Sequence, residues 1–147
     1  MSHAPETTTK TTGTASTEAG PQSAAATDTP SPYERIGGEA GVRRLVARFY
    51  EVMDSAPEAA GIRAMHAADL APMRQRLFEF LSGGLGGPRL YDACIMSAHR
   101  PFAIGAAESD AWMMCMRRAM ADVAVEPELR EMLDAAFARM AKAFQNR

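Results

Sequence analysis

Apolar residues recur at helical spacing through most of the chain, in stretches broken by glycine and proline. From Glu39 to Asp54, the residues Val42, Leu45, Val46, Phe49, Tyr50 and Met53 fall at i, i+3, i+4, i+7, i+8 and i+11, which is one face of a helix. Arg43, Arg44, Arg48 and Glu51 take the solvated side. Before this helix, Tyr33 to Ile36 makes at most one turn, because Gly37-Gly38 ends it. After it, Ser55-Ala56-Pro57 closes the helix, and Glu58 to Ala68 reads as a short irregular connection containing Gly61 and His66. Asp69 suits an N-cap, with Pro72 in the first turn, and Met73, Leu77, Phe80 and Leu81 form the next apolar face.

That second helix stops at Gly83-Gly84, and Gly86-Gly87-Pro88 forbids continuation. The clustered glycines predict either a mobile loop or a close backbone approach. Asp92 to His99 suits a short helix limited by Pro101. Ala106 to Val125 then places Trp112, Met116, Ala119, Met120 and Val123 on one side. A last helix starts at Pro127, with Leu129, Met132, Leu133, Ala136, Phe137, Met140, Ala141 and Phe144 keeping the helical period. No stretch alternates with period two between hairpin turns, and no unit repeats, so the expectation is an all-α globular bundle.

Composition divides the chain in two. Residues 1–31 are rich in Thr, Ser, Ala and Pro and hold no aromatic residue, so they cannot repay the entropy of ordering; a disordered tail is expected there, with the folded domain at 32–147. The tail has no continuous apolar segment of the kind a signal peptide needs. From Pro32 onward, 15 basic and 15 acidic residues balance, which leaves no electrostatic footprint for nucleic acid. No segment is long and apolar enough to cross a membrane as a helix. Cys94 and Cys115 belong to no CxxC or CxxCH pattern, which disfavours zinc ribbons, thioredoxin-like chemistry and covalent haem attachment. Two buried, unpaired thiols in a reducing cytoplasm are expected instead.

The candidate chemistry gathers around Ala98-His99-Arg100-Pro101-Phe102-Ala103-Ile104. Phosphate-cradling, HExxH and GxSxG patterns are all missing from the chain. His99 lies beside an apolar run, Trp112 follows thirteen residues later, and Tyr50 and His66 lie upstream on other segments. These polar groups could converge on one apolar cavity, with His99 as a haem ligand, or each could be satisfied in ordinary packing. A two-histidine zinc site from His66 and His99 would need a carboxylate partner that the spacing does not suggest. Eleven methionines, many on the apolar faces, suit a pliable interior around a flat ligand.

From Tyr33 to the C-terminus the chain resembles a truncated haemoglobin of the second group. The residues that carry the resemblance are Phe49-Tyr50 with Met53, Phe80-Leu81-Ser82-Gly83 with Gly86-Gly87-Pro88, His99 with Pro101-Phe102-Ala103-Ile104-Gly105, and Asp110-Ala111-Trp112. The resemblance implies a shortened globin fold of two helices over two, holding a b-type haem. It implies His99 as the proximal iron ligand, Tyr50 as the distal hydrogen-bond donor, and Trp112 as the tryptophan typical of the group. His66 takes the polar distal position, Met73 that of a distal gate, and Leu77 lies one turn further on, facing the haem. Arg76 matches a residue that pairs with a haem propionate, while Phe49, Phe80 and Phe102 are packing residues able to touch the porphyrin. Three features depart from the family: Ser97-Ala98 stand where a basic residue usually precedes the histidine, with Arg100 as a substitute; the interval from Tyr91 to His99 is short where the family has a longer loop; and Gly84 stands where an aromatic is common.

The function implied is binding of oxygen, NO or CO at haem, for oxygen binding and delivery or for redox and NO detoxification. A peroxidase or nitric-oxide dioxygenase is the enzymatic alternative. With no flavin or nicotinamide fingerprint in the chain, turnover would need an external reductase. A haem-free interaction module with a globin fold is the third reading, and Tyr50, His99 and Trp112 together are hard to explain under it.

Overall fold

The computed structural model describes residues 29–147, in which every regular element is helical. The expectation of a disordered tail falls mainly on residues 1–28, which lie outside the described residues. The α-helices are α1 (Pro32–Ile36), α2 (Gly38–Ser55), α3 (Ala60–Ala64), α4 (Ala71–Gly84), α5 (Ile95–His99), α6 (Ala106–Asp122) and α7 (Pro127–Ala143), with a 3-10 turn at Pro57–Ala59 before α3. Helix α2 packs chiefly on α6 and also on α4, and α6 packs on α7. This is the expected two-over-two arrangement.

All six apolar residues predicted on α2 are buried, and Val52 joins them. Helix α2 needs a wide apolar face because it is covered from two directions, by α4 and by α6. At its start, the backbone of Gly41 lies so close to the Ile36 carbonyl that a Cβ would overlap it. Ser31 caps α1 by accepting a hydrogen bond from the Glu34 N–H at 3.2 Å.

The glycine-rich stretch after α4 is a close approach. Gly87 lies against the Tyr33 ring with no room for a Cβ, and Gly86 holds φ +93 beside Ser31. The Tyr33 N–H donates to the Leu85 carbonyl at 2.9 Å, and the Ser82 hydroxyl donates to the Pro88 carbonyl at 2.7 Å. The start of α1 is thereby pinned to the end of α4.

Several expectations are corrected. Asp69 does not occupy the N-cap of α4, which falls to Leu70, but its carboxylate accepts from the Ala71 N–H at 3.0 Å and serves the same orphan donor. Helix α5 starts at Ile95, three residues later than Asp92. Helix α6 ends at Asp122, short of Val125, because Ala124 turns left-handed at φ +56 and the Val125 N–H bonds back to the Met120 carbonyl. Met132 is 44% exposed, because the buried stripe of α7 is the narrow i, i+4 series Leu129, Leu133, Phe137 and Ala141 facing α6. Cys115 is buried and unpaired as expected, but Cys94 is exposed, since it precedes α5 on a segment that buries nothing.

Candidate functional site

Adjacent positions on α2 send Phe49 and Tyr50 into one aromatic cluster. Phe49 is fully buried and meets Tyr50 edge-on at 5.0 Å and Trp112 of α6 at 5.2 Å. Trp112 in turn meets Phe137 of α7 edge-on at 5.8 Å. His66, just past α3, turns its ring edge-on to Tyr50 at 5.9 Å. The His66 Nδ1–H donates to the Ile62 carbonyl at 2.7 Å, because a carbonyl oxygen can only accept. Three of the sequence-predicted polar residues, Tyr50, His66 and Trp112, are therefore brought to one place by three separate segments.

Tyr50 is only 3% exposed, yet its hydroxyl makes no hydrogen bond among the described residues. Burial pushes its pKa up to about 12, and nearby Arg74 opposes the shift. The hydroxyl therefore keeps its proton at neutral pH and remains a donor. The Trp112 indole N–H is likewise unengaged among the described residues. No buried side-chain nitrogen or oxygen lacks a partner among the described residues, so both donors keep access to open space at the edge of the cluster, where a ligand that accepts hydrogen bonds could reach them.

His99 stands at the end of α5 and is half-buried. Its Nδ1–H donates to the Ile95 carbonyl at 2.7 Å, and its ring stacks on Phe144 at 4.2 Å with an interplanar angle of 5°. The carbonyl fixes the tautomer with the proton on Nδ1, which leaves the Nε2 lone pair available to a metal.

The surrounding apolar residues are oddly exposed. Leu90 (45%), Met96 (44%) and Phe102 (39%) all lie on the segment around His99, and Met132 is the other large apolar residue exposed to this degree among those described. On α4, Met73, Leu77 and Phe80 are only half-buried. Phe78, which the periodicity missed, is buried on that helix with Leu81 and Ser82; it lies under the Arg43 guanidinium at 3.8 Å. The series Phe78, Leu81, Leu85 carries a helical period of its own and could have revealed it. Incompletely covered apolar surface on α4 and around His99 is what a large, flat apolar ligand would cover. Arg76 and Arg100 are exposed and form no ion pair with a carboxylate among the described residues, so each could face an anionic group of such a ligand. Haem meets these requirements: a neutral imidazole for its iron, apolar surface for its ring and arginines for its propionates.

Comparison with known proteins agrees. Residues 31–146 match the bacterial-like globin family. The group 2 truncated hemoglobin YjbI of Bacillus subtilis is 37% identical over 108 residues, covering 70% of this chain and 79% of that one. The group II 2-on-2 hemoglobin of Agrobacterium tumefaciens superposes with a TM-score of 0.77 at 42% identity, covering 82% of this chain and 98% of that one. A truncated oxygen-avid haemoglobin from Bacillus subtilis superposes with a TM-score of 0.73 at 34% identity, covering 80% of this chain and 100% of that one. The chain thus belongs to the bacterial-like globin family, as a truncated haemoglobin of the second group that binds diatomic gases at haem.

Proposed function

We propose that this chain holds b-type haem through His99 and retains oxygen by hydrogen bonds from Tyr50 and Trp112. The observation that carries the reading is His99 itself: its Nδ1–H is committed to the Ile95 carbonyl, and its Nε2 is left free beside uncovered apolar side chains. Attachment is non-covalent, because neither cysteine belongs to a CxxCH pattern. Haem supplies the iron centre at which a diatomic gas binds and gains partial negative charge.

The protein supplies the rest. Tyr50, held protonated by burial, donates to the gas, and Trp112 offers a second donor from the opposite helix. His66, whose ring lies against Tyr50, holds its Nδ1 proton on the Ile62 carbonyl and would have to release that bond to replace either donor. Met73, Leu77, Phe80 and Phe102 would hold the porphyrin by apolar contact, with Met73 in the gate position, and Arg76 and Arg100 would neutralise its propionates. The oxygen-avid relative supports oxygen as the gas. The exposed free thiol of Cys94 suits a reducing compartment such as the cytoplasm, where a separate reductase would keep the haem reduced. Residues 1–28 take no part; deleting them, with Ser31 kept as the cap of α1, should leave haem content and oxygen affinity unchanged.

The test is an optical spectrum of the purified protein in ferric, ferrous and carbonyl forms, compared with His99→Ala. The variant is expected to purify largely free of haem or with a changed spectrum. A variant with the full ferrous spectrum of the wild type, without added imidazole, removes His99 as the ligand.

A further inference from the structure

We infer that Phe144 and Asn146, the residues just past α7, are positioning residues for His99, and that α7 sets the placement of His99 relative to Trp112. The inference rests on His99 as the haem ligand. Its starting point is that α5 cannot orient a ligand unaided. It is five residues long, buries none of them and has no side-chain hydrogen bond at its N-cap; a helix this short has no stability of its own.

The C-terminal residues supply what α5 lacks. Phe144 lies flat on one face of the imidazole, 4.2 Å away and tilted by only 5°. The bond to the Ile95 carbonyl lies at the ring edge and sets the direction of Nδ1, and hence of Nε2 across the ring. Rotation about the Cβ–Cγ bond would carry Nδ1 away from that carbonyl and tilt the ring off Phe144, so the stack and the hydrogen bond resist it together. One contact holds the ring at its edge and the other at its face.

Asn146 ties down the segment that leaves α5. Its Oδ1 accepts from the Ile104 N–H at 2.9 Å and its Nδ2 donates to the Phe102 carbonyl at 2.8 Å. Its own backbone N–H donates to the Ile104 carbonyl at 2.8 Å. Three hydrogen bonds from one residue thus hold both sides of Ala103. The last turn of α7 is anchored in turn by the buried Ser109 hydroxyl of α6, which donates to the Ala141 carbonyl at 2.8 Å.

Phe137 and Phe144 are seven residues apart, two helical turns and about 10 Å along one face. Phe137 supports Trp112 edge-on, and Phe144 supports His99 face-on. One helix thereby backs both the tryptophan donor and the histidine ligand and fixes the interval between them.

The test compares Phe144→Leu, Phe144→Tyr and Asn146→Ala in three measurements: the His99 ring-proton shifts of the haem-free protein by NMR, the iron–histidine stretching band of the ferrous protein by resonance Raman, and the rate of haem transfer to apomyoglobin. Phe144→Leu should move the His99 ring protons downfield as the stacked ring's shielding is lost. It should also shift or broaden the Raman band and speed haem loss by about threefold to tenfold, the worth of one aromatic pair. Phe144→Tyr should restore all three, and Asn146→Ala should give smaller changes in the same direction. Unchanged His99 shifts and an unchanged Raman band in Phe144→Leu overturn the inference, as does a Phe144→Tyr protein as impaired as Phe144→Leu. Haem retention by His99→Ala would instead remove the ligand assignment and leave the NMR result on the stack standing.

Discussion

Phe49 and Tyr50 sit on a helix whose apolar face is buried from Val42 to Met53, whereas α5, which carries His99, buries no residue. The donor side of the site is thus part of the main core, and the histidine side is held from its edges by a stack, a carbonyl and a C-terminal asparagine. The difference separates two tasks. Donors on a packed core keep their geometry whether or not a ligand is present. On the proposed reading, His99 on its short, solvated helix relies on distant contacts and on the haem itself. Stability of the apoprotein and retention of haem should therefore respond to different substitutions.

The largest effect should come from the core. Phe49→Ala removes a fully buried ring that touches both Tyr50 and Trp112, and such truncations cost about 3–5 kcal/mol. Urea unfolding of the apoprotein should register a loss of that size. A loss below about 1 kcal/mol would show that the aromatic cluster is peripheral to the core.

Alkaline pH should strike the same region. Burial raises Tyr50 to about 12 and Cys115 to about 11, so the folded state holds protons that the unfolded chain releases near their ordinary values of 10.0 and 9.0. Their stabilising contribution is complete below those unfolded values and is lost as pH rises through the folded ones. For Tyr50 the loss is about 2–3 kcal/mol between roughly pH 10 and 12. Melting curves of the apoprotein should decline from about pH 9, and Tyr50→Phe should remove the upper part of the decline. Equal declines in wild type and variant would mean that the Tyr50 hydroxyl ionises freely.

This contrast also explains what the sequence could reveal. The face of α2 was legible residue by residue because two helices cover it, so its apolar stripe is wide and regular. Met132 misled because α7 buries only a narrow stripe, and Phe78 escaped because it belongs to a second helical series with Leu81 and Leu85, beside the one through Met73, Leu77 and Phe80. The grouping of Tyr50, His66 and Trp112 joins three segments that no local period connects, so the residues alone left it as one of two readings and the family resemblance chose it. Phe144 and Asn146 left no sign of their work near His99, because their contacts cross more than forty residues of chain. Contacts of that range are set by tertiary packing, which local spacing does not encode.

On the donor side, Tyr50→Phe should change ligand release with little change in the fold. A hydrogen bond to a partly charged acceptor is worth on the order of 1–3 kcal/mol, so oxygen should leave about tenfold faster or more. Carbon monoxide, which gains less negative charge, should respond less. Trp112→Phe should act in the same direction. The double variant should be non-additive, since two donors share one acceptor. Equal oxygen dissociation rates by stopped flow in wild type and both single variants would reduce these residues to core packing.

The smallest effect on folding should come from the histidine side, and that sharpens the comparison most. Leu90 and Met96 are 45% and 44% exposed, so replacing either with serine removes little buried surface from the apoprotein. Its unfolding free energy should move by no more than about 0.5 kcal/mol, as for ordinary surface substitutions. Haem retention should behave differently, because covering these side chains contributes apolar burial only when the ring is present. At about 25 cal/mol per Å², some 40 Å² covered by haem corresponds to roughly 1 kcal/mol, or about fivefold in affinity. The two numbers should therefore part, with haem transfer several-fold faster in proteins whose apo melting curves overlay the wild type. If instead stability falls and haem transfer is unchanged, these side chains belong to the core and the apolar surface around His99 has another purpose.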